Sequence, residues 1–94
     1  MKLFLTDHLL VRLGNEVKLE DNGTFFVDVN TYKDLKNELK KYPLYTELYQ
    51  EDGKLKNKYF LVLNNEVIVE EHIEKMQIDS DMELTVLLQQ FAGG

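Results

Sequence analysis

Thr31-Tyr32-Lys33-Asp34-Leu35-Lys36-Asn37-Glu38-Leu39-Lys40-Lys41-Tyr42-Pro43 reads as a helix with both ends marked. The Thr31 hydroxyl can accept a backbone N–H one turn on, and Asp34, three residues later, completes a capping-box pattern. Leu35, Leu39 and Tyr42 recur at the 3.6-residue period and form an apolar face, while Lys33, Lys36, Lys40 and Lys41 point outward. Pro43 ends the helix, because the residue before a proline is pushed out of the helical region. Leu44 to Tyr49 reads as one further short helical turn. No other stretch has this strength of helical period, so the fold turns on what surrounds this one element.

Working outward, the flanks are β. Lys2 to Leu5 reads as an opening strand. Leu9 to Leu13 is too short for periodicity to decide, and fits either a continued strand or a short helix ending near Gly14. Glu16 to Glu20 alternates charged and apolar residues. Asp21-Asn22-Gly23 is a hairpin signal, since Asn and Gly tolerate positive φ, and Thr24 to Val29 follows as a strand. Beyond the helix, Glu51-Asp52-Gly53 forms a loop. Tyr59-Phe60-Leu61-Val62-Leu63 is apolar on both faces, as an interior strand is. Asn64-Asn65 is a turn, with Val67-Ile68-Val69 as the short hairpin partner. An acidic loop covers Glu70 to Glu74, and Ile73, Met76 and Ile78 pin the next connection to the core. After a turn at Asp79-Ser80-Asp81, Leu84, Val86 and Leu88 form the inward face of a last strand, with Thr85 and Leu87 outward. One helix on one face of a small mixed sheet of about four to five strands is an α+β arrangement.

The 94 residues allow one domain, 1–90, with residues 91–94 as a flexible tail. Formal charge is −6. That balance disfavours a nucleic-acid partner and favours a basic protein surface. The absence of cysteine excludes a disulfide scaffold, a thiolate metal site and a cysteine nucleophile. Met1-Lys2-Leu3-Phe4-Leu5 meets Asp7 and His8 too soon for a signal peptide's apolar core. No stretch approaches the roughly 18 apolar residues of a membrane span. The expectation is a cytoplasmic protein with no membrane partner.

Phe91-Ala92-Gly93-Gly94 closes the chain. A terminal carboxylate behind two residues without side chains can pass through a channel that any Cβ would block, and glycine leaves the backbone free to extend there. Gly94 would carry the chemistry, with Gly93 and Ala92 providing clearance. A diglycine at a given place arises by chance in about one chain in 200, and a frayed terminus has the same composition. On these residues alone, both readings stand.

Other clusters are weaker. Glu70-Glu71-His72 with Glu74 offers one imidazole among carboxylates and reads as solvated surface, so no metal site is expected. His8 is remote in sequence from His72, and Ser80 between two aspartates is turn composition. Lys54, Lys56 and Lys58 read as strand-edge charges. Nothing points to independent catalysis; the expected role is not that of an enzyme.

Taken in order, the motifs resemble the ubiquitin-like (β-grasp) sulfur carriers, MoaD/ThiS-like proteins that include the small subunit of molybdopterin synthase. Thr31-Tyr32-Lys33-Asp34-Leu35 is similar to the family's helix start. Glu51-Asp52-Gly53-Lys54-Leu55 resembles the loop of its longer members, and Val62-Leu63-Asn64-Asn65-Glu66 its strand and turn. Asp79-Ser80-Asp81, Leu84-Thr85-Val86-Leu87 and the diglycine resemble its ending. Departures are an extra residue before the tail, Gln89-Gln90 where proline is frequent, and Asn65 and Ser80 in place of glycines. The first thirty residues fit poorly.

The resemblance implies a β-grasp fold and a carrier whose Gly94 carboxylate is adenylated and converted to a thiocarboxylate. It implies three partners: a ubiquitin-activating-like adenylating enzyme, a persulfide-bearing sulfur donor, and a sulfur-accepting synthase subunit. ATP would be used by the activating partner, with no cofactor bound by this chain. Phe91 is the candidate anchor where the tail leaves the domain, or a last residue folded onto its own core; Leu87 is the candidate docking surface. The product could be molybdopterin of the molybdenum cofactor, thiazole, cysteine or another sulfur compound. Two other roles keep the same fold: a modifier conjugated to lysines through Gly94, and a binding module with an idle terminus.

Overall fold

The computed structural model describes residues 1–14, 19 and 23–89. β1 (Lys2–Leu5) leads into a short helix α1 (Asp7–Leu10) and a 3-10 turn (Val11–Leu13). Then come β2 (Thr24–Phe26), α2 (Tyr32–Leu39), α3 (Leu44–Leu48), β3 (Tyr59–Leu63), β4 (Glu66–Ile68), α4 (Glu70–Ile73) and β5 (Glu83–Leu88). The strands form one sheet in the order β2-β1-β5-β3-β4. β1 and β5 run parallel at its centre, and the other neighbours pair antiparallel. A parallel pair cannot be closed by a tight turn, so the chain between them crosses over with its helices.

Register separates the two faces of the sheet. Leu3 lies opposite Leu84 and Phe25, Leu61 opposite Val86 and Ile68, and Leu63 opposite Leu84. These residues point to the helical side, where they join Tyr32, Leu35, Leu39, Leu44 and Leu48 in one core. Removing each such side chain from water stabilises the fold by about 1.5–3 kcal/mol before entropy is counted. The α+β expectation holds.

The helix forms as its sequence predicts at its start. Thr31 is extended, and its Oγ1 accepts the Asp34 N–H at 3.1 Å. Its far end differs. α2 stops at Leu39, and Lys41 and Tyr42 donate to the Glu38 and Leu39 carbonyls as the chain tightens into a closing turn. Pro43 then opens α3, where a missing N–H leaves no bond unmade. Lys36 is not simply outward either, since its Nζ lies 5.7 and 5.3 Å from the centres of the Tyr32 and Tyr49 rings.

Several other expectations are resolved. Leu9 to Leu13 is helical, ending at Gly14 with φ of 88°. Asn64 and Asn65 both adopt positive φ, 48° and 72°, as a two-residue hairpin turn requires. Ile73 and Ile78 are buried and Met76 half-buried, so they pin the connection after β4. Of the alternating stretch 16–20 only Leu19 is described, and of the turn after it only Gly23; β2 pairs with β1.

Three readings are corrected. Glu70 to Ile73 is a helix, not a loop, and Glu70 is not solvated surface. Its Oε2 accepts the Tyr32 hydroxyl at 2.8 Å and its Oε1 the Leu55 N–H at 2.7 Å. β2 ends at Phe26 rather than Val29. Leu88, the last residue of β5 and opposite the buried Tyr59, is 39% exposed.

Candidate functional site

β5 delivers the chain to its last described residue, Gln89, whose N–H donates to the Lys58 carbonyl at 2.7 Å. This bond extends the β3–β5 ladder one step beyond Leu88. Of the site residues expected from sequence, Phe91, Ala92, Gly93 and Gly94 lie outside the described residues. Leu87 is placed. It is half-buried on the face of the sheet opposite the helices, with Phe60 directly across on β3.

That outer face is more apolar than a solvent-facing sheet needs to be. Phe4, Thr85, Val62 and Val67 form one row across four strands, with Leu87 and Phe60 in the next. Phe4, Phe60 and Val62 are half-buried, while Val67 is 72% exposed. Leu87 is therefore one member of a patch and not an isolated residue. The sequence carried the signal in the apolar run of β3, whose second face had to go somewhere. A contiguous exposed apolar patch marks an interaction surface more often than chance does.

The surroundings of Gln89 are polar and mixed in charge, in contrast to the acidic flank that net charge alone suggests. Glu47 of α3 stands at their centre. Its Oε2 accepts the Tyr59 hydroxyl at 2.7 Å and lies 3.2 Å from Lys58 Nζ, while its Oε1 lies 3.5 Å from Arg12. His8 Nε2 reaches the Tyr59 oxygen at 3.3 Å, and His8 Nδ1 meets Thr6 Oγ1 at 3.0 Å. The Tyr59 hydrogen bond, then Lys58 and Arg12, hold the Glu47 carboxyl below the usual carboxylate range despite some burial. Burial and the bond to Glu47 push the Tyr59 phenol up to about 12. Sequence reasoning missed Glu47, because only the apolar positions of Leu44 to Tyr49 gave a signal.

Elsewhere, a shallow cavity of about 540 Å³ lies along β4, lined by residues that include Leu63, Val67, His72 and Met76. Among the described residues no three His, Cys, Asp or Glu side chains come together as metal ligands would. No described helix is long and apolar enough to cross a membrane.

No protein-family model matches the sequence, nor does any curated protein. Solved structures do match. Urm1 from Sulfolobus solfataricus aligns over 95% of this chain and 100% of its own, with a TM-score of 0.67 at 11% identity. SAMP1 from Haloferax volcanii aligns over 100% of this chain and 98% of its own, with a TM-score of 0.68 at 19% identity. The fold is the ubiquitin-like β-grasp. In this β-grasp, β5 is the central strand from which residues 90–94 follow, and α2 is the helix held against the sheet. At such identities the likeness is one of fold, and the chemistry rests on the residues of this chain.

Proposed function

We propose that this protein is a sulfur carrier that acts as a co-substrate and not as an enzyme. The observation that carries the reading is positional. Each motif of the resemblance that lies among the described residues falls on its β-grasp element: the Thr31 cap on α2, Asn64-Asn65 between β3 and β4, and Asp79 to Asp81 before β5. β5 ends at Leu88, and in the sequence Gly93-Gly94 follow shortly after it.

In this reading the Gly94 carboxylate attacks the α-phosphorus of ATP on an adenylating partner, and pyrophosphate leaves. Carboxylate oxygen is a poor leaving group whereas AMP is a good one. The outer sulfur of a partner's persulfide then bonds to the acyl carbon, and AMP departs. A thiol cleaves the remaining S–S bond and becomes a disulfide, leaving a terminal thiocarboxylate. This soft nucleophile is passed to a synthase. With no cysteine in the chain, the sulfur cannot be lost to an internal thiol by exchange. The outer face around Leu87, Phe60 and Phe4 is the surface on which the partners dock. Phe91 anchors the tail in a partner, where its burial contributes about 2 kcal/mol.

Mass spectrometry of the protein isolated from its host tests this. Sulfur in place of one oxygen at the terminus supports the carrier. Higher-mass conjugates to lysine would make it a modifier, and an unmodified chain with no activating partner would make it a binding module.

A further inference from the structure

We infer that Glu47 is a positioning residue that fixes the direction in which the chain leaves the domain at Gln89. The use of that direction in activation rests on the carrier reading. Gln89 donates its N–H to the carbonyl of Lys58, which belongs to the peptide joining Lys58 to Tyr59. The side chains on both sides of that peptide end on the same atom, Glu47 Oε2, at 3.2 Å from Lys58 Nζ and 2.7 Å from Tyr59 Oη.

Side chains of successive residues in a strand point to opposite faces. Lys58 escapes this rule because it precedes β3 and lies in a turn, where Tyr59 N–H donates to the Lys56 carbonyl at 3.0 Å. One carboxylate can therefore hold the Lys58–Tyr59 unit from both ends and set where its carbonyl points. Arg12 on the second oxygen of Glu47 keeps the carboxylate from turning away. His8 supports the Tyr59 hydroxyl. With Nδ1 accepting from Thr6 and Nε2 donating to Tyr59, hydrogen bonds run in one sense from Thr6 through His8 and Tyr59 to Glu47. Groups from α1, the following 3-10 turn, α3 and β3 thus converge on the side chains that flank the peptide whose carbonyl accepts the last described backbone bond.

The arrangement is more than an exposed ion pair, which would be worth little. The Glu47 side chain is only 16% exposed, and its bond to Tyr59 is charge-assisted. Its position also has a functional logic. A tail aimed by a rigid strand end presents its terminus to a narrow channel more often than one that pivots freely at its root.

Amide hydrogen exchange on Glu47→Ala, Glu47→Gln and Tyr59→Phe tests the inference. In Glu47→Ala the Gln89 amide should exchange about tenfold faster or more, relative to the Val86 amide in the same protein. Tyr59→Phe should loosen Gln89 in the same sense. Glu47→Gln keeps an acceptor for Tyr59 and should stay within about threefold of wild type. With the activating enzyme, Glu47→Ala should raise the KM for the carrier at least about threefold while kcat holds, and Glu47→Gln should restore it. Unchanged Gln89 exchange in both Glu47→Ala and Tyr59→Phe overturns the inference, as does equal acceleration at Val86. A loosened Gln89 with unaltered KM overturns its role in activation. A wild-type protein that is never activated refutes the carrier reading instead, and the exchange comparison still decides what Glu47 holds.

Discussion

Tyr32 and Glu70, 38 positions apart, share a 2.8 Å hydrogen bond that ties the first turn of α2 to α4. The Tyr32 oxygen also meets the Tyr49 hydroxyl at 2.8 Å, and the other oxygen of Glu70 takes the Leu55 N–H at 2.7 Å. One carboxylate thus joins α4 to α2 and to the loop before β3, and through the Tyr32 hydroxyl to Tyr49 just after α3. Glu70→Ala should cost about 2–3 kcal/mol in urea denaturation, since it leaves a phenol and a backbone amide without their acceptor. Tyr32→Phe should cost less, because Leu55 keeps its partner. Equal stability of Glu70→Ala and wild type would show that water replaces the carboxylate without loss.

The hairpin turn separates two asparagines that look equivalent in sequence. Both have positive φ, but Asn64 also accepts the Glu83 N–H on Oδ1 at 3.0 Å and donates its own N–H to the Glu83 carbonyl at 2.9 Å. Asn65→Gly should be neutral or stabilising by about 0.5 kcal/mol, since glycine suits that backbone. Asn64→Gly should be destabilising by about 0.5–1.5 kcal/mol through the lost side-chain acceptor. Thermal melts of the two variants check the order; the reverse order would sink the assignment.

These two cases also show which parts of the protein can be read from local chemistry. The Thr31 cap, the Asn64-Asn65 turn and the strands Lys2–Leu5 and Tyr59–Leu63 each depend on residues within a few positions, and each forms where its sequence places it. α4 was not legible. Four residues of Glu-Glu-His-Ile have no period, and what orders Glu70 is a tyrosine far away in the chain. Glu47 was hidden for the same reason, because its partners come from the 3-10 turn, from β3 and from the turn before β3. Leu87 was legible as outward by alternation, but its neighbours on the outer face follow only from register.

Glu47 gives stability a dependence on acid. Its carboxyl is held below the ordinary value, so its contribution is present above the unfolded value of about 4.3 and is lost as pH falls through the native one. The stability difference between wild type and Glu47→Ala should therefore be largest near neutral pH and shrink below about pH 4. Tyr59 acts in the opposite limb. Its phenol is raised to about 12, so the stability it lends is present below the unfolded value of about 10 and is lost as pH rises through the native one. Glu47→Gln should lower the Tyr59 titration seen by ultraviolet tyrosinate absorbance. A difference between wild type and Glu47→Ala that stays constant from neutral pH to about pH 3 would remove the acid dependence.

On the proposed carrier reading, Leu87 and Gly93 should separate docking from chemistry. Leu87→Asp places a charge on the apolar outer face opposite Phe60, where a partner would have to bury it. Because Leu87 is only half-buried, the fold should lose no more than about 1.5 kcal/mol. Loading by the activating enzyme should fall about tenfold or more through KM, and high carrier concentration should recover the rate. Gly93→Val leaves the outer face intact and adds a branched side chain near the terminus, so binding should persist while adenylate formation is lost. Deleting Gly94 should have the same effect. Pyrophosphate release and a binding titration, run on the same variants, distinguish the two defects. If Gly93→Val is loaded normally, the slender terminus is not the reactive end, whatever the sheet face binds.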